Sequence, residues 1–443
     1  MKSSLKKLIA LVGMTVLAVS SLHAQDSGAL VEALVKKGVL TDQEGEEIRA
    51  DLTKEYATTS AGKLNVSSHI TQLKLYGDGR LRYEYVGQEG QNNGQNNSHN
   101  WRARYRIRVG ADYVFTDNFK AGFELESSTD NDSANQSFGN GFGKSSINVG
   151  LIYLQYKPWD FVTLTGGKMK NPLYTTDLVW DADINPEGAA EVFSWDINDQ
   201  FTIGVTAAQF NYTENSDSAG LTGSSSSKML DSWIYAGQLP MTYKFSKDIK
   251  ATFAPGFMTT TGNNGSTIVT GSPSITNTVS ATNLNVITAP GDVQFKLFNQ
   301  KTKFYWDLAY NMSGESRVHQ TYGIVNQNNS LEDSVAWLVG LQVGDNKKKG
   351  DWLVGVDFRQ TGLGAVDPNL ADSDFGNGNL NQQGVKIRTG YNFTDFLQGN
   401  ITYFNTWNYK ENIATTGQTP NNVSGLNGVN ATSRLQLDVV WKF

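Results

Sequence analysis

Cysteine is absent from this chain of 443 residues, histidine occurs four times and proline nine times. Without cysteine there is no disulfide framework, which suits export through an oxidising compartment. Setting aside the leader described below, the histidines are His69, His99 and His319, none of them on a strand-like run. A Ser-His hydrolytic pair and a His/Cys metal site are therefore both excluded, and neither an enzymatic reaction nor a cofactor or metal is expected. The 44 glycines show no phosphate-cradling spacing. Beyond residue 24 nothing approaches the ~20 consecutive apolar positions of a transmembrane helix, so a membrane form could only be a closed β-barrel. A mean hydropathy of -0.39 does not oppose this, because in a barrel only alternate residues face lipid.

What is present starts at the two ends. Lys2, Lys6 and Lys7 precede an apolar run from Leu8 to Val19, and Leu22-His23-Ala24 offers a small residue for cleavage, which together read as a secretory signal peptide over 1–24. Taking its three lysines from the 37 basic residues leaves 34 against 43 acidic ones, a mature net charge of −9. At the far end Leu435, Leu437, Val439, Trp441 and Phe443 share one face of an extended strand. Such a strand, closed by a terminal phenylalanine, resembles the last strand of bacterial outer-membrane barrels. That resemblance makes Phe443 part of the signal read by the barrel-assembly machinery and places the chain in the bacterial outer membrane.

Between the ends the period changes. Ala29 to Lys54 has helical spacing, broken at Gly38 and restarted by the capping box Thr41-Asp-Gln-Glu44. The expected organisation is thus a periplasmic helical segment over 25–56, a linker over 57–71 and a barrel over 72–443. The helices read equally well as a cap on the barrel rim or as a partner-binding stalk. From Gln72 the period is two: Leu73 to Tyr85, Trp101 to Val109 and Phe119 to Glu126 each alternate apolar and charged positions. Short turns at 116–118, 158–160, 197–199, 246–248, 299–300, 345–350 and 394–395 alternate with long Asn/Ser/Gly/Thr-rich loops. This asymmetry predicts an all-β fold, a transmembrane antiparallel barrel of about 16 strands with a short N-terminal helical segment. A soluble β-sandwich or β-solenoid explains neither the alternation nor the terminal phenylalanine.

The charged side chains carry the chemistry. Arg102, Arg104, Arg106 and Arg108 occupy successive same-face positions of one strand, with Arg80 and Arg82 on its hairpin partner. Placed in lipid each would cost several kcal/mol near the midplane, so they are expected to face water as a basic wall of a conduction path. The competing reading is a wall neutralised by Asp78, Glu84, Asp112, Glu124 and Glu126. A constriction loop over 171–189 is expected to bring Asp177, Asp181, Asp183 and Glu187 opposite that wall, setting a transverse field; the alternative is an external acidic loop that binds Ca²⁺ or contacts lipopolysaccharide. Gly77-Asp-Gly79 is expected to bend the first strand.

Several short motifs resemble one known family. Lys-Lys-Gly-Val-Leu-Thr41, Tyr156-Lys-Pro-Trp-Asp160, Leu164-Thr-Gly-Gly-Lys-Met-Lys-Asn-Pro172 and Trp180-Asp-Ala-Asp-Ile-Asn-Pro-Glu-Gly188 are similar to the putative porin family of Gram-negative bacteria, related to phosphate-selective porins. The resemblance implies a homotrimeric channel of 16 strands for passive diffusion of small hydrophilic solutes and ions. Phosphate-selective members also carry arginine ladders and lysine clusters; here only Lys168 and Lys170 stand in the matching stretch, and the acidic loop departs from an anion-specific pattern. The expected partners are outer-membrane lipid and lipopolysaccharide, the assembly machinery, and small solutes or anions, with no nucleic acid. A barrel acting in adhesion or envelope anchoring is the other function class.

Overall fold

The computed structural model describes residues 31, 34–48, 50, 67, 69–90, 97–128, 130–139, 141–213, 231–261, 267–268, 279–280, 284–322, 333–410 and 429–443. The signal peptide expected over 1–24 lies outside them. The chain divides into two units, residues 1–67 and 68–443. In the first, a helix ends as its sequence dictates: Gly38 takes φ +69°, and Gly38 and Val39 donate to the carbonyls of Val35 and Leu34 at 2.9 and 3.0 Å. Helix 42–48 then opens on the capping box. The Thr41 amide donates to Glu44 Oε2 at 2.9 Å and the Glu44 amide to Thr41 Oγ1 at 3.3 Å.

The second unit is a closed antiparallel barrel of 16 strands. They are β1 Gln72–Gly90, β2 Ser98–Thr116, β3 Phe119–Glu126, β4 Asn148–Trp159, β5 Val162–Lys168, β6 Glu187–Asp196 and β7 Phe201–Thr213. Next come β8 Ser232–Gln238 with Met241–Lys244, β9 Lys250–Phe253 with Gly256–Thr260, and β10 Asn285–Thr288 with Gly291–Leu297. The circuit ends with β11 Gln300–Asn311, β12 Val335–Gly344, β13 Trp352–Thr361, β14 Gln382–Asn392, β15 Leu397–Asn408 and β16 Val429–Lys442. Each strand pairs with its neighbours in sequence, and β1 closes onto β16 from Asp78↔Lys442 to Gly90↔Val429. Prolines explain the three divided strands. Pro240, Pro255 and Pro290 cannot donate to the ladder, yet their carbonyls accept from Gly204, Leu239 and Ala254 at 2.7, 2.9 and 2.9 Å, so one bulge runs across three neighbouring strands.

Period-two alternation gives the wall its two faces. Leu75, Leu81, Tyr83, Ile107, Val109, Ile152, Leu154, Val354, Val356, Leu437 and Val439 are exposed outside, where lipid would cover them. Glycines make room for aromatic rings on this surface. A Cβ on Gly77 would stand 2.5 Å from the Phe443 ring, and one on Gly79 would stand 2.1 Å from the Trp441 ring. At Gly77-Asp-Gly79, where the sequence predicts a bend, the strand keeps an unbroken register and the glycines supply space: rings of the last strand lie over the first.

The lumen is unevenly filled. Leu178, Val179 and Trp180 of loop 169–186 and Leu363, Val366 and Leu370 of loop 362–381 form one apolar cluster with Phe210, Ile234, Met258 and Leu338 from the β7, β8, β9 and β12 walls. Trp180 meets Phe210 edge-on at 5.9 Å. Apolar packing therefore occupies much of the lumen beside β7–β12, and the arginine-rich polar cluster lies against β1, β2 and β13–β16.

Candidate functional site

The register of β1 on β2 sets the charges. It places Asp78 opposite Arg108, Arg80 opposite Arg106, Arg82 opposite Arg104 and Glu84 opposite Arg102. Two arginine–arginine pairs thus lie between two acid–base pairs, and like charges directly opposite repel. Neighbouring carboxylates relieve most of this. Arg82 donates twice to Asp438 on β16, at 2.7 and 2.9 Å. Asp78 accepts from Arg106 at 2.6 Å and from Arg108 at 2.7 Å, and Glu84 Oε1 accepts from Arg102 at 2.7 Å. Arg80 and Arg104 remain. Arg80 bonds the Asn135 amide oxygen at 2.6 Å and has no carboxylate within ion-pair distance among the described residues. Among the described residues Arg104 has one carboxylate within ion-pair distance, Glu84 at 3.7 Å, and that carboxylate already serves Arg102. Of the other carboxylates weighed as neutralisers, Asp112 accepts from Tyr153 and Glu124 stands 3.7 Å from Lys170.

Loop 169–186, joining β5 to β6, crosses inside the barrel. The Tyr174 amide donates to Gln238 Oε1 at 2.7 Å, the Tyr174 hydroxyl to Asp292, and Thr176 Oγ1 to Asp307 Oδ2 at 2.7 Å. Beyond these anchors Asp177 pairs with Lys386 at 2.7 Å and Arg359 at 3.2 Å on the opposite wall. Asp183 lies 3.5 Å from Arg108 and 3.8 Å from Arg106. Glu187 is not brought to this place. It begins β6, largely exposed, and accepts from Lys168 at 2.8 Å.

Two further loops enter, although their Asn-, Ser- and Gly-rich composition reads as that of external loops. In loop 362–381, Asp372 accepts from Arg359 at 2.8 Å, while Asp374 takes Arg434 and accepts from Gln436 at 2.8 Å. The Asp181 amide donates to the Leu370 carbonyl at 2.6 Å, which joins this loop to the first. Residues 130–137 turn in beside β2, with Asp132 and Asn135 buried. The signals for these residues were weak but real. Arg359, Lys386, Arg434 and Asp438 have the lumen-facing parity of their strands, and Leu363, Val366 and Leu370 are apolar residues in a loop otherwise rich in Asn, Asp and Gly.

All these elements enclose a cavity of about 190 Å³. Its wall holds seven basic side chains, Arg80, Arg82, Arg102, Arg104, Arg106, Lys386 and Arg434. It also holds seven acidic ones, Asp130, Asp132, Asp177, Asp181, Asp183, Asp372 and Asp374. Burial and the charges of Asp372 and Asp183 push the Asp181 carboxyl well above the ordinary carboxylate range. Burial acts the same way on Asp177 and Asp374, but Lys386 and Arg359 on one, and Arg434 and Arg82 on the other, outweigh it and hold both below that range. No group of three His, Cys, Asp or Glu suited to a metal ion occurs among the described residues.

Residues 87–279 match the family described as Putative porin, which bears out the resemblance carried by the short motifs. Among solved structures, Salmonella typhi OmpF in complex with daunomycin is similar at 12% identity and a TM-score of 0.47, over 85% of this chain and 99% of that one. Pseudomonas putida OprB at high pH gives 12% and 0.46, over 84% and 94%. A triple mutant of the Rhodopseudomonas blastica porin gives 9% and 0.42, over 84% and 100%. No curated protein matches the chain.

Proposed function

We propose that this chain, with its match to the putative porin family, forms a water-filled outer-membrane channel for passive diffusion of small hydrophilic solutes and ions. One observation carries the reading: a closed barrel, apolar outside, whose lumen is narrowed by three inward loops to a small cavity walled by charges of both signs. Charge in a confined lumen sets the energy of ions in transit, and fixed dipoles across it orient solutes. Six arginines on one wall suggest anion preference. The ion pairs reduce that wall to Arg80 and Arg104, facing Asp177, Asp181 and Asp183, so a weak anion preference close to neutrality is the consistent expectation. Adhesion or anchoring would make no use of the charged lumen.

The same reading has the chain exported by a signal peptide cleaved after Ala24 and inserted by the assembly machinery through the Phe443 strand. In the membrane it assembles as a homotrimer among lipid and lipopolysaccharide. Single-channel recording in a planar bilayer is the test. Discrete ohmic conductance steps are expected, with a zero-current potential near zero in a KCl gradient; a correctly folded barrel that gives no steps would overturn the proposal.

A further inference from the structure

The cavity keeps polar atoms of both signs unpartnered. Among the described residues Arg104 Nε is buried without a hydrogen-bond partner, and so is Asp132 Oδ1. Both side chains are more than nine-tenths buried, at 5% and 7% exposure, and both line the same 190 Å³ space. Buried polar atoms are normally satisfied, and leaving a charged one unmet is destabilising. An unmet donor and an unmet acceptor in one cavity describe the complement of a ligand bearing both kinds of group.

Asn135 shows where the negative end would sit. Its side-chain oxygen accepts from Arg80 Nη2 at 2.6 Å and Nε at 3.2 Å, and its main-chain oxygen accepts from Arg104 Nη2 at 3.4 Å. The two guanidinium groups without a dedicated carboxylate thus share one neutral residue of an inward loop. A carboxylate placed there would make charge-assisted bonds roughly twice as strong as the amide's. Asp132 lies three positions earlier on that loop.

Resting on the channel reading above, we propose that this cavity binds a small zwitterionic solute of the amino-acid type. Its carboxylate takes the place of the Asn135 side-chain oxygen on Arg80 and reaches the unmet Nε of Arg104, and its ammonium meets Asp132. The channel would then hold such solutes briefly in transit and saturate with them, which an unstructured aqueous pore does not.

The test is a calorimetric titration of the folded full-length barrel in detergent with alanine, acetate and ethylamine. Alanine should bind saturably and at least about tenfold more tightly than either one-charge analogue, since each charged hydrogen bond is worth about that factor or more. Asp132→Asn should bring alanine and acetate to the same level. Asn135→Asp, which fixes a carboxylate between the arginines without touching a strand, should weaken alanine and acetate alike by about tenfold or more. Folding of each variant is checked by its resistance to unfolding in unheated detergent gels. Equal affinity for alanine and acetate, with Asp132→Asn without effect, would reduce the site to a plain anion site and overturn the proposal, as would the absence of saturable heat. Conductance without alanine binding sinks this site and spares the channel; alanine binding without conductance does the reverse.

Discussion

Asp78 holds two guanidinium groups with its two oxygens, Arg106 at 2.6 Å and Arg108 at 2.7 Å, and faces Arg108 across the hairpin. Changing Asp78 to Asn removes the charge that makes two neighbouring cations tolerable. Breaking a buried pair in a dry core costs ~3–5 kcal/mol; a lumen wall is wetter, so a loss of about 2 kcal/mol is expected, read as a lower denaturant midpoint. The uncovered positive charge should also move the zero-current potential toward anions. Arg80→Gln is the contrasting change. Arg80 has no carboxylate to orphan, so stability should change little, while the potential moves toward cations. If both variants shifted selectivity the same way, the wall would not be acting through local charge.

Loop 169–186 owes its place to three side-chain anchors, Tyr174 on Asp292, Thr176 on Asp307 and the Tyr174 backbone on Gln238. Tyr174→Phe combined with Thr176→Ala should loosen it, giving larger and noisier conductance from a barrel of unchanged strand content. Asp181 makes the loop sensitive to pH. Because its folded pKa is raised, the native loop binds this proton more readily than the unfolded chain does, and loop stability falls as pH rises from the ordinary carboxylate range through the raised value. Asp181→Asn should abolish that fall. Since Asp177 and Asp374 are held below the ordinary range, mild acidification neutralises Asp181 first and should increase anion preference before it affects the other two. The strands, and the alternation of short turns with long loops, were legible in the sequence because a two-residue period and turn residues are local. The inward course of loop 362–381 was not. Its reasons are partners far along the chain, such as Leu370 receiving the Asp181 amide and Arg359 and Lys386 each shared with Asp177, which lies 182 and 209 residues away from them. Asn- and Gly-rich composition suggests an external loop unless one asks where its leucines and valine are buried.

Closure of the whole molecule depends on a seam that one methyl group would obstruct. Gly77 and Phe443 exchange backbone hydrogen bonds at 3.0 and 3.1 Å, and a Cβ on Gly77 would also stand 2.5 Å from the Arg108 carbonyl, which cannot move without shifting β2. Gly77→Ala should therefore lower the yield of closed barrel, as should deletion of Phe443. Phe443→Leu, which keeps the backbone bonds, should lose less. The closed barrel then poses a question of scale that a measurement can settle. The mature chain proposed above carries 34 basic against 43 acidic residues, a net charge of −9, and if total charge ruled, the channel would prefer cations. At 0.1 M salt, however, each exposed charge is screened beyond ~10 Å, whereas groups enclosed in the 190 Å³ cavity are screened much less. On the proposed reading, an ion passing this cavity therefore responds mainly to Arg80, Arg104 and the carboxylates facing them. Replacing Arg80 and Arg104 together by Gln changes the total charge by only two, yet should carry the zero-current potential from near neutrality to clear cation preference. That preference should persist in part at 1 M salt, where the screening length falls to ~3 Å. A potential that tracks total charge and vanishes at high salt would show that the constriction lies elsewhere in the barrel.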